Sequence, residues 1–209
     1  MKHSKLTKKL LLTLVIGKDD APGKDLIKLV TEAFQGGVTS LQLREKTMGD
    51  KEFYEEALIF SELSKDMGKL FMINNRVDIA LAVDADGVHL GEDDLPLEAA
   101  AKILPKGKIL GYSASSREKG AEAILKGADY LGVGALYPSP SKPEAPVLTD
   151  SQIDSILGLK WPTVGIGGIT IENAAELKSK GFQGLAVISA IARAEDAKEA
   201  AQGLLKAFT

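Results

Sequence analysis

One short segment carries three polar side chains spaced for a single face of a strand. In Gln42-Leu43-Arg44-Glu45-Lys46, side-chain alternation places Gln42, Arg44 and Lys46 together, with Leu43 and Glu45 opposite. The planar Arg44 guanidinium and the point charge of Lys46 both suit phosphate oxygens. The spacing therefore predicts a binding site for a phosphorylated ligand. The alternative is a surface strand in which Glu45 forms ion pairs with its basic neighbours.

Amides and carboxylates follow the next two apolar runs. In Asn74-Asn75-Arg76, the Asn74 side chain could bind a ligand or cap the helix that follows. In Glu92-Asp93-Asp94, the carboxylates could bind Mg²⁺ through oxygen or stabilise a helix N-terminus. His89 lies within the apolar run itself, where a structural, hydrogen-bonded histidine is favoured over an acid–base catalyst.

Hydroxyls, a lysine and paired glycines follow the remaining runs. Ser113 ends the fifth run, and the Pro-rich loop of residues 134–143 follows the sixth. A long, stiff loop between lean elements is usually functional, and a plain connector is the alternative. Gly167-Gly168 follows the seventh run, where backbone N–H groups can approach an anion closely. Residues 187–191 follow the eighth run, where a short helix can begin.

Short apolar runs alternate with amphipathic stretches along the chain, and several runs are apolar at consecutive positions. This pattern is typical of parallel strands buried on both faces. Helical spacing is visible in residues 25–34, 51–67 and 196–208. The runs are residues 10–16, 40–43, 70–73, 87–90, 109–113, 130–134, 163–166 and 185–188.

Eight such units predict a single (β/α)8 TIM barrel over residues 1–209, in the α/β class. An open doubly wound sheet is the alternative, but its dinucleotide site requires G-x-G-x-x-G after the first strand. The turn there reads Gly17-Lys18-Asp19-Asp20, which does not fit. In a barrel, the active site lies at the C-terminal strand ends, which is where the polar residues described above occur.

Composition narrows the chemistry. A net charge of -3 over 209 residues argues against a nucleic-acid partner. The absence of Cys excludes a thiol nucleophile, and two His are too few for a multi-histidine metal site, so any metal is expected to be Mg²⁺ held by oxygen.

The basic residues 1–9 and the apolar run after them faintly resemble a signal peptide, but a buried strand fits better. We therefore expect a cytoplasmic protein with no membrane partner, and homo-oligomer formation is left open.

Together these motifs resemble those of the thiamine phosphate synthase family, of which the thiazole tautomerases are a sister branch. Each motif is modestly specific, whereas their order and completeness are highly specific. The matching pieces are QLREK (42–46), INNRVDIALAVDADGVHLGEDDLP (73–96), GYS (111–113), ADYLGVGALYPSPSKPEAP (128–146), GIGGIT (165–170) and VISAI (187–191).

The resemblance implies a Mg²⁺-dependent transferase of thiamine biosynthesis. Such an enzyme couples 4-amino-2-methyl-5-hydroxymethylpyrimidine pyrophosphate with a (carboxy)thiazole phosphate, giving thiamine phosphate and pyrophosphate. In the family, pyrophosphate departs first, and the thiazole nitrogen captures the pyrimidinyl-methyl cation that remains. This step requires charge neutralisation on the leaving group rather than a proton shuttle.

By matched position, the resemblance assigns two substrate sites, a metal site and four catalytic residues. The pyrimidine pyrophosphate would be held by Gln42, Arg44, Lys46, Asn74, Ser113 and Lys142. The thiazole phosphate would be held by Ser139, Pro140, Ser141, Gly168, Ile188 and Ser189. The metal residues would be Asn75 and Asp94, and the catalytic residues Arg44, Lys46, Ser113 and Lys142.

The chain departs from the family pattern at the first metal position, where Asn75 replaces the usual Asp. An amide oxygen can ligate Mg²⁺ but brings no negative charge, so we expect weaker binding unless Glu92 or Asp93 compensates. Asn75 also favours, to a small degree, the thiazole tautomerase activity or a non-catalytic phosphate-binding barrel. The acidic run and the loop of residues 139–142 favour the synthase.

Overall fold

Eight parallel strands form a closed barrel in the computed structural model, which describes residues 3–139 and 145–209. Each strand pairs with the next along the chain, and β8 pairs with β1. The closed barrel confirms the predicted fold and excludes the open sheet. The strands are β1 Leu12–Ile16, β2 Ser40–Leu43, β3 Leu70–Asn74, β4 Gly87–Leu90, β5 Ile109–Ala114, β6 Tyr130–Val133, β7 Thr163–Ile166 and β8 Gly184–Val187.

Helices follow each strand and cover the outside of the barrel, and one further helix precedes the first strand. The α-helices are α1 His3–Lys9, α2 Leu26–Gln35, α3 Asp50–Asp66, α4 Val77–Ala82, α5 Leu97–Ile103, α6 Arg117–Leu125, α7 Asp150–Leu157, α8 Ile171–Lys180, α9 Ser189–Ala192 and α10 Ala197–Phe208. Asp25 and Asp196 cap α2 and α10 by accepting backbone N–H bonds from Lys28 and Glu199. No helix in the described ranges is long and apolar enough to cross a membrane.

The first predicted strand was too long at its N-terminal end. Residues 10 and 11 precede β1, and Leu10 packs with Leu6 of α1 among side chains from the inner face of the barrel. The start of β8 lies so close that a Cβ on Gly184 would fall 2.0 Å from the Leu10 carbonyl oxygen. Helix α1, which the sequence did not predict, therefore closes the N-terminal end of the barrel.

Alternation along the strands separates an inner face from an outer one. The outward side chains form the large core beneath the helices, as Leu41 and Leu43 of β2 do. The inner face is apolar near the strand starts, with Leu70 and Ile109 beside the α1 residues. Thr13 and Ser40 hydrogen-bond to each other at this same level, whereas Gln42 and His89 lie further along their strands, nearer the C-terminal end of the barrel. The polar inward residues include Thr13, Ser40, Gln42 and His89.

Candidate active site

A cleft of about 430 Å³ opens at the C-terminal ends of β2, β3 and β4. Five of the residues predicted for the pyrophosphate and metal sites line it, namely Arg44, Lys46, Asn74, Asn75 and Asp94. Glu45, Met48, Phe53 and Arg76 complete the lining. The structure thus brings together side chains that are up to 50 residues apart in sequence, because neighbouring parallel strands end at the same rim.

The segment after β2 has the predicted division of faces. Gln42 is 5% exposed inside the barrel, and Arg44 and Lys46 reach the cleft. Glu45 turns toward β1, where its Oε1 accepts a 2.6 Å hydrogen bond from the backbone N–H of Lys18. Among the residues that the structure describes, Glu45 forms no ion pair with Arg44 or Lys46. The surface ion-pair alternative is therefore wrong.

Behind this segment, Glu45 meets a second carboxyl group on α3. Burial raises the pKa of Glu45, and burial together with the Glu45 carboxylate raises the pKa of Glu56 to about 7. Glu56 Oε2 is buried and, within residues 3–139 and 145–209, has no hydrogen-bond partner. The raised pKa values of both carboxyl groups indicate that this pair retains a proton toward neutral pH. No sequence motif singled out Glu56, because only helix packing brings it to Glu45.

The two asparagines after β3 have separate environments. Asn74 Nδ2 donates a 3.0 Å hydrogen bond to Gln42 Oε1, and the cap position of α4 is Arg76, which makes no side-chain cap bond. The capping alternative for Asn74 is therefore wrong. Asn75 is exposed and has a φ of 67°, in the left-handed region that Asn and Asp tolerate better than most residues.

The acidic run after β4 contributes one carboxylate to the cleft. Asp94 Oδ2 accepts a 2.6 Å hydrogen bond from the backbone N–H of Gly91, which orients the side chain. Glu92 instead forms an ion pair with Lys119, with Nζ and Oε2 2.6 Å apart. Helix α5 has Pro96 at its cap position and no side-chain cap bond, so the helix-capping alternative for this run is wrong. The Glu92 carboxylate is therefore directed to Lys119 and does not line the cleft with Asn75.

The donor set in the cleft fits a magnesium ion that shares its ligands with a substrate. Asp94 supplies a carboxylate and Asn75 an amide oxygen. In the described part of the chain, no group of three His, Cys, Asp or Glu residues could hold a metal by itself. Mg²⁺ commonly takes one or two carboxylates together with substrate phosphates and water. The residues present thus match a phosphate-bridged ion better than an all-protein metal cage.

Deeper in the barrel, His89 has partners on both ring nitrogens. Its Nδ1 lies 2.9 Å from the Tyr130 hydroxyl and its Nε2 lies 3.0 Å from Ser113 Oγ. Burial lowers the pKa of His89 to about 4, so the ring is neutral at pH 7. The histidine is hydrogen-bonded inside the barrel, as expected. His89 thus joins Tyr130, which no sequence motif singled out, to the exposed Ser113 at the rim.

The loops after β6 and β7 pack against each other on the other side of the mouth. Tyr137 N–H donates to the Gly167 carbonyl at 3.0 Å. Gly168 has a φ of 63°, and a Cβ there would fall 2.5 Å from the Pro138 carbonyl oxygen, so only glycine fits. Gly168 therefore lies against Pro138, and the half-buried Ser139 is the next residue in the chain after Pro138.

Helix α9 begins directly after β8, with Ile188 at its cap position and Ser189 as its first residue, which confirms the predicted short helix. These residues, with Ser139 and Gly168, follow β6, β7 and β8, where barrels commonly bind phosphate. None of them lines the cleft at β2–β4. Pro140, Ser141 and Lys142, also predicted for the site, lie outside the described residues.

Comparison with known proteins gives one consistent result. Residues 12–191 match the sequence model of a family described as thiamine monophosphate synthase. The chain is 45% identical to the thiamine-phosphate synthase of Ruminiclostridium cellulolyticum over 186 residues, which are 88% of this chain and 89% of the relative. It is also 45% identical to that of Syntrophomonas wolfei over 195 residues, or 92% and 93% of the two chains. The solved thiamine phosphate pyrophosphorylase from Pyrococcus furiosus is similar, with a TM-score of 0.89, 40% identity and 97% coverage of both chains.

Proposed function

The chain belongs to the thiamine monophosphate synthase family and is a transferase of thiamine biosynthesis, and on that premise we propose that its cleft at β2–β4 binds a pyrimidine pyrophosphate together with Mg²⁺. The observation that carries the proposal is the convergence of Arg44 and Lys46 with Asp94 at one cleft. Two cations beside a carboxylate suit a pyrophosphate that arrives with a divalent ion.

The reaction breaks one C–O bond and forms one C–N bond. The pyrophosphate oxygen keeps the electron pair of the bond to the pyrimidine methylene carbon, which leaves a pyrimidinyl-methyl cation. The thiazole nitrogen then supplies its lone pair to that carbon, giving thiamine phosphate. The step needs no nucleophile or base from the protein, so stabilisation of charge on the leaving group is the main task of the site.

Each part of the mouth contributes differently to this task. Arg44 and Lys46 neutralise the pyrophosphate, joined by Lys142 from the loop after β6. Asn74 and Ser113 donate hydrogen bonds to the same substrate, while Gln42 lies behind them. The thiazole phosphate is bound through backbone N–H groups and hydroxyls at the loops after β6, β7 and β8, by Ser139, Pro140, Ser141, Gly168, Ile188 and Ser189.

Asp94 and Asn75 are the residues that would hold Mg²⁺, with the pyrophosphate supplying further oxygens. When bound, the ion offsets negative charge on the pyrophosphate oxygens. Asp94 is oriented for this by its bond to the Gly91 N–H. The amide at position 75 leaves one carboxylate where two are usual, so a millimolar Mg²⁺ requirement is expected.

The test is a coupling assay with the two phosphorylated substrates, with and without Mg²⁺, in which thiamine phosphate is measured by chromatography. We expect product only with the metal, and Lys46→Ala should reduce turnover at least tenfold. Lys51→Ala, which removes an exposed lysine from α3, is the matched control and should leave turnover unchanged.

Two results would overturn the proposal. Metal-independent isomerisation of a thiazole carboxylate phosphate, without coupling, would indicate a thiazole tautomerase. Binding of either phosphorylated substrate with no product above background, at millimolar Mg²⁺ and high protein concentration, would indicate a non-catalytic phosphate-binding barrel.

A further inference from the structure

A chain of polar contacts crosses the barrel interior beneath the cleft. Asn74 Nδ2 donates to Gln42 Oε1 at 3.0 Å, and the Gln42 side chain lies close enough to the Tyr130 phenol to counteract the rise in its pKa. The Tyr130 hydroxyl lies 2.9 Å from His89 Nδ1, and His89 Nε2 lies 3.0 Å from Ser113 Oγ. These side chains come from five strands and include three residues predicted for the pyrophosphate site, Gln42, Asn74 and Ser113.

The barrel leaves space for this chain by placing glycines opposite the two rings. A Cβ on Gly111 would lie 2.4 Å from the Tyr130 ring and 2.5 Å from His89 Nδ1. A Cβ on Gly132 would lie 2.9 Å from His89 Cε1. All three distances are shorter than real Cβ contacts, so the positions of the two rings depend on the absence of these side chains. Tyr130 and His89 are 2% and 7% exposed.

The direction of each hydrogen bond follows from the number of protons available. Both rings are buried, and among the described residues neither hydrogen-bonds to a carboxylate, so each is neutral and carries a single N–H or O–H proton. The buried Tyr130 hydroxyl lies beside His89 Nδ1, which can accept its proton. The Tyr130 proton is then donated to His89 Nδ1, which leaves the imidazole proton on Nε2.

We propose that Tyr130 and His89 are positioning residues that make Ser113 a hydrogen-bond donor to the departing pyrophosphate. His89 Nε2–H donates to Ser113 Oγ, so the Ser113 hydroxyl proton is directed away from the histidine and toward the mouth. Ser113 is exposed at the rim, where this proton can reach a pyrophosphate oxygen. The inference rests on the proposed function for the role of Ser113, but the proton order is a property of the free protein.

The first test measures the proton order without substrate. Long-range ¹H–¹⁵N spectra at pH 7 distinguish the two neutral tautomers of histidine, and a His3→Gln variant assigns the signals because the chain has two His. We expect an unprotonated Nδ1 and a protonated Nε2 on His89, with a shift toward the Nδ1–H form in Tyr130→Phe. A protonated Nδ1 in the wild-type protein would overturn the proposal.

The second test is a double-mutant cycle in the coupling assay. Tyr130→Phe keeps the ring and should lower kcat about tenfold with little change in KM, because the Ser113 bond strengthens as charge develops on the leaving group. In a Ser113→Ala background, the same substitution should change kcat less than twofold. Equal losses in both backgrounds would show that Tyr130 does not act through Ser113.

Two further variants separate positioning from packing. Tyr112→Phe removes a phenol hydroxyl from a half-buried position on the outer side of β5, and kcat should not change. His89→Gln can place an amide N–H near the position of Nε2 and should retain several-fold more kcat than His89→Leu, whereas equal loss would contradict the donor role. A wild-type protein without coupling activity would refute the proposed function, and the tautomer measurement would still be decided by the spectra.

Discussion

Replacing Glu56 with Gln should make the barrel more stable at pH 8 and leave its stability at pH 5 nearly unchanged. Glu56 lies on α3 beside the Glu45 carboxyl group, behind the strand end that carries Arg44. Its pKa is raised from 4.5 to about 7 by burial and by the Glu45 carboxylate, with Glu52 adding to the rise and Lys18 opposing it. The unfolded chain has no such pair. Between pH 4.5 and about 7, Glu56 therefore binds a proton more strongly in the folded state than in the unfolded chain.

The sign and size of the effect follow from this difference. Stability is fully retained below pH 4.5 and falls as the pH rises through about 7, since the folded state must then hold two adjacent carboxylates. Each tenfold change in proton affinity corresponds to about 1.4 kcal/mol, which sets an upper limit of about 3.4 kcal/mol. Glu56 is half-buried, so solvent screening reduces this to about 1–2 kcal/mol.

Urea unfolding from pH 5 to pH 8 measures the effect. The free energy of unfolding of the wild-type protein should fall relative to Glu56→Gln by about 1–2 kcal/mol over this range, because Gln keeps a hydrogen-bond donor for Glu45 and carries no charge. Glu55→Gln is the matched control, since Glu55 is an exposed neighbour on α3 that pairs with Lys51. Parallel pH profiles for the wild type and Glu56→Gln would refute the raised pKa of Glu56.

Three other substitutions test the site. Asn75→Asp should lower the Mg²⁺ concentration for half-maximal rate, since Asp tolerates the φ of 67° and adds a charge, whereas an unchanged dependence would exclude position 75 as a ligand. Arg44→Ala should lower kcat/KM by about a hundredfold, and near-normal turnover would remove Arg44 from the site. Gly111→Ala should reduce stability to urea by about 1–3 kcal/mol through the contact with Tyr130, and wild-type stability would mean that the interior adjusts.

The strand pattern was readable because both faces of each strand are buried, which produces consecutive apolar residues. The predicted strand bounds were less accurate where a residue has no side chain or is apolar for another reason. Gly184 starts β8 but has no side chain, and Ile188, assigned to the strand, begins the turn into α9. Leu10 is apolar for a different reason, since it closes the barrel end beside α1 rather than extending β1. Hydrophobicity alone does not distinguish these two environments.

The rule that barrel sites lie at strand ends brought Arg44, Asn74 and Asp94 to one cleft, because that rule needs only strand order. It did not find Tyr130, which lies at the start of β6 and reaches His89 across the intervening strand β5. Such a contact depends on barrel register and on missing side chains at the glycines of β5 and β6. The available signal was the spacing of Tyr130 and Gly132, which places both on the same face of β6. That spacing indicates a contact with His89 only when the strand register is known.

The interior and the rim of the mouth handle charge in opposite ways, and this division suits a reaction that produces a cation and an anion together. The cations Arg44 and Lys46 lie at the rim, where they can meet the pyrophosphate. The interior polar groups are neutral, since burial holds the pKa of His89 at about 4. An imidazolium there would oppose the pyrimidinyl-methyl cation of the proposed reaction, at a cost that grows as the local dielectric constant falls. Burial of His89 therefore serves the proposed reaction in two ways, because it favours the neutral ring that the proposed proton order needs and excludes a positive charge from the barrel interior.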